Sequence, residues 1–159
     1  MDNVLSKQKS SPVAKIYKSD KNPIGTPDKY PYVLTTYRLT EHHLAGAMTR
    51  NLPWLAELMP NLFFEISKEL ASELGIKPGE MCTISSARGA IKAQACVTDR
   101  LKPMTIAGRK VHEIGLPWHW GFKGIAVGDV ANTLVASVGD PNVFIQESKA
   151  LLCDVKKGG

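Results

Sequence analysis

Over residues 91–98, apolar Ile91, Ala93, Ala95 and Val97 alternate with Lys92, Gln94, Cys96 and Thr98, the period of two expected of a β-strand with one buried and one open face. Met81 to Ser86 precedes it across Ala87-Arg88-Gly89-Ala90, so the two runs read as a hairpin. With the turn centred between Arg88 and Gly89, Ile84 faces Ala93 and Cys82 faces Ala95. Cys82 and Cys96 then lie on opposite faces, where they cannot form a disulfide with each other.

The rest of the sequence offers further strands in short pieces. Tyr32 to Tyr37 is rich in β-branched and aromatic residues and follows Pro31, as an opening strand would. Leu44, Met48, Leu55, Leu58 and Met59 recur at helical spacing from Thr40 onward, but Pro53 interrupts them, so two short helices or a broken one are expected. Phe63 to Ile66 forms another strand, Ser67 caps a helix over Lys68 to Leu74, and Gly75 stops it in a left-handed conformation. Val111 to Leu116 and Leu151 to Val155 complete the set. Many short strands with few helices argue for a mainly β fold with short helices, closed as a small barrel.

Charge and polarity divide the chain. Residues 1–30 carry six lysines against three aspartates, together with Pro23, Gly25 and Pro27, so they read as a flexible arm or interdomain connector ahead of a domain over 31–159. Of the net charge of +5, only +2 belongs to that domain, which weakens a nucleic-acid reading. No stretch approaches the ~18 consecutive apolar residues of a spanning helix, so no membrane span is expected.

Three clusters carry polar chemistry. Thr36, Arg38 and Thr40, with His42 and His43 following, stand where a strand is expected to run into a helix; Arg38, the Thr36 and Thr40 hydroxyls and the amides at the helix start suit an anion cradle, or else Thr40 only caps the helix and Arg38 pairs with Glu41. Trp118, His119, Trp120 and Phe122 form an aromatic loop whose indoles stack on a flat heterocycle or plug the barrel. Asn132-Thr133, Asp140-Pro141-Asn142 and Glu147-Ser148-Lys149 bring amide, carboxylate and ammonium groups that suit the edges of a fused-ring ligand, or else serve only as turn chemistry. The adjacent His42 and His43 would point about 100° apart on a helix, and the cysteines lack metal-site spacing, so neither metal ligands nor catalytic residues are expected.

In this order and spacing, the segments Thr36-Tyr37-Arg38-Leu39-Thr40-Glu41-His42, Met48-Thr49, Phe64-Glu65-Ile66, Gly79-Glu80, Ser86-Ala87-Arg88-Gly89, His119-Trp120-Gly121, Ala131-Asn132-Thr133-Leu134, Gly139-Asp140-Pro141 and Lys149 resemble the C-terminal domain of molybdenum- or tungsten-dependent formate dehydrogenase catalytic subunits. The likeness, to the dimethyl-sulfoxide-reductase superfamily and its respiratory, membrane-associated members, covers roughly residues 28–157. It implies a six-stranded double-psi β-barrel that holds one side of a bis-molybdopterin guanine dinucleotide cofactor (bis-MGD). Thr36, Arg38, His42, Asn132, Asn142 and Lys149 would face that cofactor. Leu44 and Ser148 depart from the pattern, which often has a polar residue and a Tyr at these places. The metal, Mo or W, its ligands and formate oxidation would belong to upstream domains of the same subunit, so this piece is not expected to be catalytic alone. The resemblance also implies an iron–sulfur electron-transfer subunit as a further partner and, for its respiratory type, a periplasmic parent enzyme, with a cytoplasmic one as the alternative. The competing reading is a stand-alone small basic β-barrel that binds nucleic acid or a protein substrate.

Overall fold

A computed structural model describes residue 20, residues 22–139 and residues 145–158. Six strands close into a barrel: β1 (Tyr32–Tyr37), β2 (Phe63–Ser67), β3 (Met81–Ser85), β4 (Ala90–Thr98), then, past a small hairpin of β5 (Met104–Ile106) and β6 (Arg109–Val111), β7 (Glu113–Pro117) and β8 (Leu151–Lys157). Round the barrel the order is β1-β7-β2-β4-β3-β8. The pairing is mixed, with β1 parallel to β7 and β2 parallel to β4 while the other neighbours run antiparallel. Closure leaves no barrel strand with an open edge. Two short helices, α1 (Pro53–Leu58) and α2 (Lys68–Leu74), complete the mainly β fold.

The barrel encloses the core. Leu34, Phe64, Ile66, Ile84, Ile91, Ile114 and Leu116 are buried to 2% exposure or less, joined by Cys82, Cys153 and Val155. Cys82 points inward and Cys96 outward, as the alternation requires. Ser67 caps α2 by accepting from the Leu70 amide at 3.1 Å, and Gly75 ends it at φ 65°.

The hairpin register differs from expectation by two residues: Cys82 pairs with Ala93 and Ile84 with Ile91. The faces survive because the shift is even. The turn closes earlier, with the Ser86 amide donating to the Gly89 carbonyl at 2.8 Å. The Ser86 hydroxyl fixes it by accepting from the Arg88 amide and donating to the Leu134 carbonyl. Val111 belongs to β6 rather than β7. That second hairpin, turned by Ala107 and Gly108 at positive φ, escapes an apolar-pattern reading because Met104 and Ile106 are exposed.

A second correction concerns residues 40–52. No helix begins at Thr40; a single 3-10 turn covers Thr49–Asn51, and α1 starts only with Pro53 at its first position. Competing hydrogen bonds explain this: Leu44, at φ 47°, gives its carbonyl to His119, and the Thr49 hydroxyl serves both the His42 ring and the His43 amide. Of the arm expected over residues 1–30, residues 20 and 22–30 are described. Within it Asn22 is buried, donating to the Ser137 carbonyl at 2.9 Å and accepting from its amide at 2.7 Å.

Candidate functional site

Parallel pairing of β1 with β7 sets Tyr37 beside Pro117, so the chain leaves the barrel with Arg38 next to Trp118 and Leu39 next to His119. The Arg38 guanidinium lies 5.4 Å from the Trp118 ring centroid. One residue on, the Leu39 amide donates to His119 Nε2 at 2.7 Å, and His119 Nδ1 donates to the Leu44 carbonyl. His119 is fully buried, so a rigid imidazole joins the two strand exits beneath the exposed cation and the indole face.

Opposite them, Lys149 Nζ donates to the Thr36 carbonyl and lies 3.3 Å from its hydroxyl, while that hydroxyl donates to the Ser148 carbonyl at 3.0 Å. Thr36, Arg38, Trp118, Ser148 and Lys149, with the amides of Asn132 and Gln146, enclose a cleft of about 180 Å³. Asn132 and Gln146 also line an adjoining cleft of about 260 Å³, together with Arg88. Among the described residues that line either cleft there is no carboxylate. Two cations, a third nearby and neutral amides make a surface suited to an anion carrying a flat ring.

Four of the six expected site residues, Thr36, Arg38, Asn132 and Lys149, therefore meet at one cleft. Asn142 lies outside the described residues. His42 is not among the lining residues. Its ring is buried, with Nε2 donating to the Met59 carbonyl at 2.9 Å and Nδ1 accepting from the Thr49 hydroxyl at 3.2 Å, where it holds the loop that leads to α1. The open alternatives resolve unevenly. No Arg38–Glu41 ion pair occurs among the described residues, Trp118 forms a wall of the cleft, and Trp120 is a buried plug edge-on to His42. Gln146 and Arg88 join the lining without a signal in the sequence: Gln146 carries no local pattern, and Arg88 looks like ordinary hairpin-turn chemistry.

Burial lowers the His119 pKa below the ordinary histidine value, opposed by its bond to the Leu44 carbonyl. As pH falls below about 6.5, the unfolded chain gains a proton that the folded ring resists. Its contribution to stability is thus complete above that pH and is lost below it. In an NMR titration the His119 ring should take up its proton at lower pH than an unperturbed imidazole; protonation at or above the ordinary histidine value would contradict this assignment.

A model of the family described as "Molydopterin dinucleotide binding domain" matches residues 32–151. The chain is 43% identical over 158 residues to "Formate dehydrogenase subunit alpha" of Megalodesulfovibrio gigas, covering 99% of this chain and 16% of that one. It is 47% identical over 155 residues to "Formate dehydrogenase 2 subunit alpha (cytochrome c-553)" of Nitratidesulfovibrio vulgaris strain Hildenborough, covering 96% and 15%. With "Formate dehydrogenase, nitrate-inducible, major subunit" of Escherichia coli K12 the identity is 45% over 149 residues, covering 93% and 14%. The chain thus spans about 15% of the length of these relatives. Among solved structures, acetylene hydratase from Pelobacter acetylenicus superposes with a TM-score of 0.65 at 16% identity, over 83% of this chain and 19% of that one, a likeness of fold alone.

Proposed function

The chain belongs to the molydopterin dinucleotide binding domain family, and from that premise we propose that its cleft, lined by no carboxylate among the described residues, holds the dinucleotide of a bis-MGD cofactor within a formate dehydrogenase catalytic subunit. The observation that carries this reading is the pairing of Arg38 and Lys149 across a cleft walled by the Trp118 ring. Arg38 grips a phosphate through its planar fork, Lys149 adds a point charge, and the Thr36 hydroxyl orients the Lys149 ammonium. The amides of Asn132 and Gln146 read ring edges, and Trp118 offers a stacking face. When bound, the cofactor supplies the metal-centred redox chemistry that oxidises formate, with the metal, Mo or W, ligated by other parts of the enzyme.

The remaining domains of that subunit are the proposed partners, with an iron–sulfur subunit beyond them. Their expected contact is the apolar surface of Met48, Trp54, Leu58, Phe122 and Ile125, each more than 60% exposed. The Arg50 side chain joins its two halves by donating to the carbonyls of Gly121 and Lys123. No helix among the described residues is long and apolar enough to cross a membrane. A periplasmic parent enzyme rests on the respiratory-type resemblance.

In the complete subunit, Arg38→Ala is expected to weaken cofactor retention about 10- to 150-fold, the loss of a charge-assisted hydrogen bond of ~1.5–3 kcal/mol. Lys123→Ala, whose exposed side chain lines neither cleft, should leave retention unchanged. Pterin content per chain after gel filtration checks both. Equal pterin content in wild type and Arg38→Ala would mean that the phosphates are held elsewhere.

A further inference from the structure

Away from the cleft, α2 presents Glu69 and Glu73, one turn apart on one face, toward His112 in the link between β6 and β7. One ligand atom from each residue can be chosen so that all three lie within 4.8 Å of one another. The Lys110 ammonium occupies the space between the carboxylates, bonded to Glu69 and 3.3 Å from Glu73 Oε1. A cation therefore already stands where a metal would. Ion pairs between exposed lysine and glutamate are common, and on their own they explain nothing further.

His112 adds the independent observation. It is only 6% exposed, yet its Nδ1 has no hydrogen-bond partner, and its Nε2 faces Glu73 Oε2 at 3.6 Å, too long for a hydrogen bond. The backbone holds it in place, because its carbonyl accepts from the Val33 amide at 3.0 Å. Nε2, the nitrogen that faces Glu73, makes no ordinary hydrogen bond and is the ligand atom, while the buried Nδ1 carries the ring proton; with the two carboxylates this imidazole has the donor set of a borderline divalent cation.

We propose that Glu69, Glu73 and His112 form a zinc-binding site in which Zn²⁺ displaces the Lys110 ammonium and ties α2 to the β6–β7 link. His112 is the fixed ligand. The half-exposed carboxylates rotate inward to the ~2.0–2.2 Å that zinc requires, and water fills the fourth position. Two carboxylates balance the metal charge, and the released ammonium moves into solvent.

The test is calorimetric titration of the full chain, free of any affinity tag, with zinc chloride. Cys96→Ser is included in every form so that its exposed thiol does not contribute. One saturable zinc per chain is expected, weakened at least tenfold by Glu73→Gln. Lys110→Ala should tighten it about tenfold by removing the competing cation, a ~1.4 kcal/mol change. Neither substitution touches the core, so both forms should fold, which circular dichroism verifies. Absence of saturable binding, or an affinity indifferent to both Glu73→Gln and Lys110→Ala, would overturn the proposal.

Discussion

Gly46→Ala is expected to destabilise the fold by about 2–5 kcal/mol, combining ~1–2 kcal/mol for placing a side chain in the left-handed region with ~1–3 kcal/mol for overpacking. Gly46 sits at φ 78°, and a Cβ there would stand 2.0 Å from the His119 carbonyl oxygen. That oxygen is backbone and cannot turn aside. The displacement would reach the His119 ring, which joins Leu39 to Leu44 and so sets how Arg38 and Trp118 leave the barrel. Gly79→Ala is the control: it shares φ 78° but meets nothing within 4 Å, so only the conformational part should remain. Urea denaturation of both variants separates clash from strain.

The second large effect is expected at Arg50, a buried guanidinium with no carboxylate partner among the described residues. Its Nη1 donates to the carbonyls of Gly121, Lys123 and Ala126, while its own carbonyl accepts from the amides of Ile125 and Ala126. Arg50→Met keeps most of the volume and removes the donors. Gly121 retains the Gly128 amide, but Lys123 and Ala126 lose their side-chain donor, at ~1–3 kcal/mol for the buried Ala126 bond and less for the part-buried Lys123 bond. Relief from burying an unpaired charge offsets part of this, so a net loss of about 1–3 kcal/mol is expected. Hydrogen exchange should show residues 121–128 opening before the barrel; unchanged protection there would show that the loop is held by its apolar contacts instead.

The barrel strands could be read because each signal was local. Alternation over Ile91 to Val97 and the Ser67 to Gly75 helix depend on neighbours in sequence, and both appear as expected. The hairpin register could not be read so closely, since Ser86 is fixed by the Leu134 carbonyl, 48 residues away. Residues 40–52 failed for the same reason: their helical spacing is genuine, but His119 claims the Leu44 carbonyl from 75 residues away. Of the candidate site, Thr36, Arg38, Asn132 and Lys149 emerged from motif order, whereas the roles of His42 and His119 as buried struts depend on three-dimensional contacts that no spacing encodes.

The central claim is that this one cleft receives the phosphate-bearing end of a dinucleotide. Guanosine diphosphate carries the same phosphates and ring, and amide NMR detects binding even near millimolar Kd, about −4 kcal/mol. Titrated into the ¹⁵N-labelled chain, it should shift the amides of Thr36, Arg38 and Lys149, the Trp118 indole and the side-chain amides of Asn132 and Gln146, and Arg38→Ala should abolish those shifts. Shifts confined to other surfaces, or an unaltered pattern in Arg38→Ala, would contradict the account.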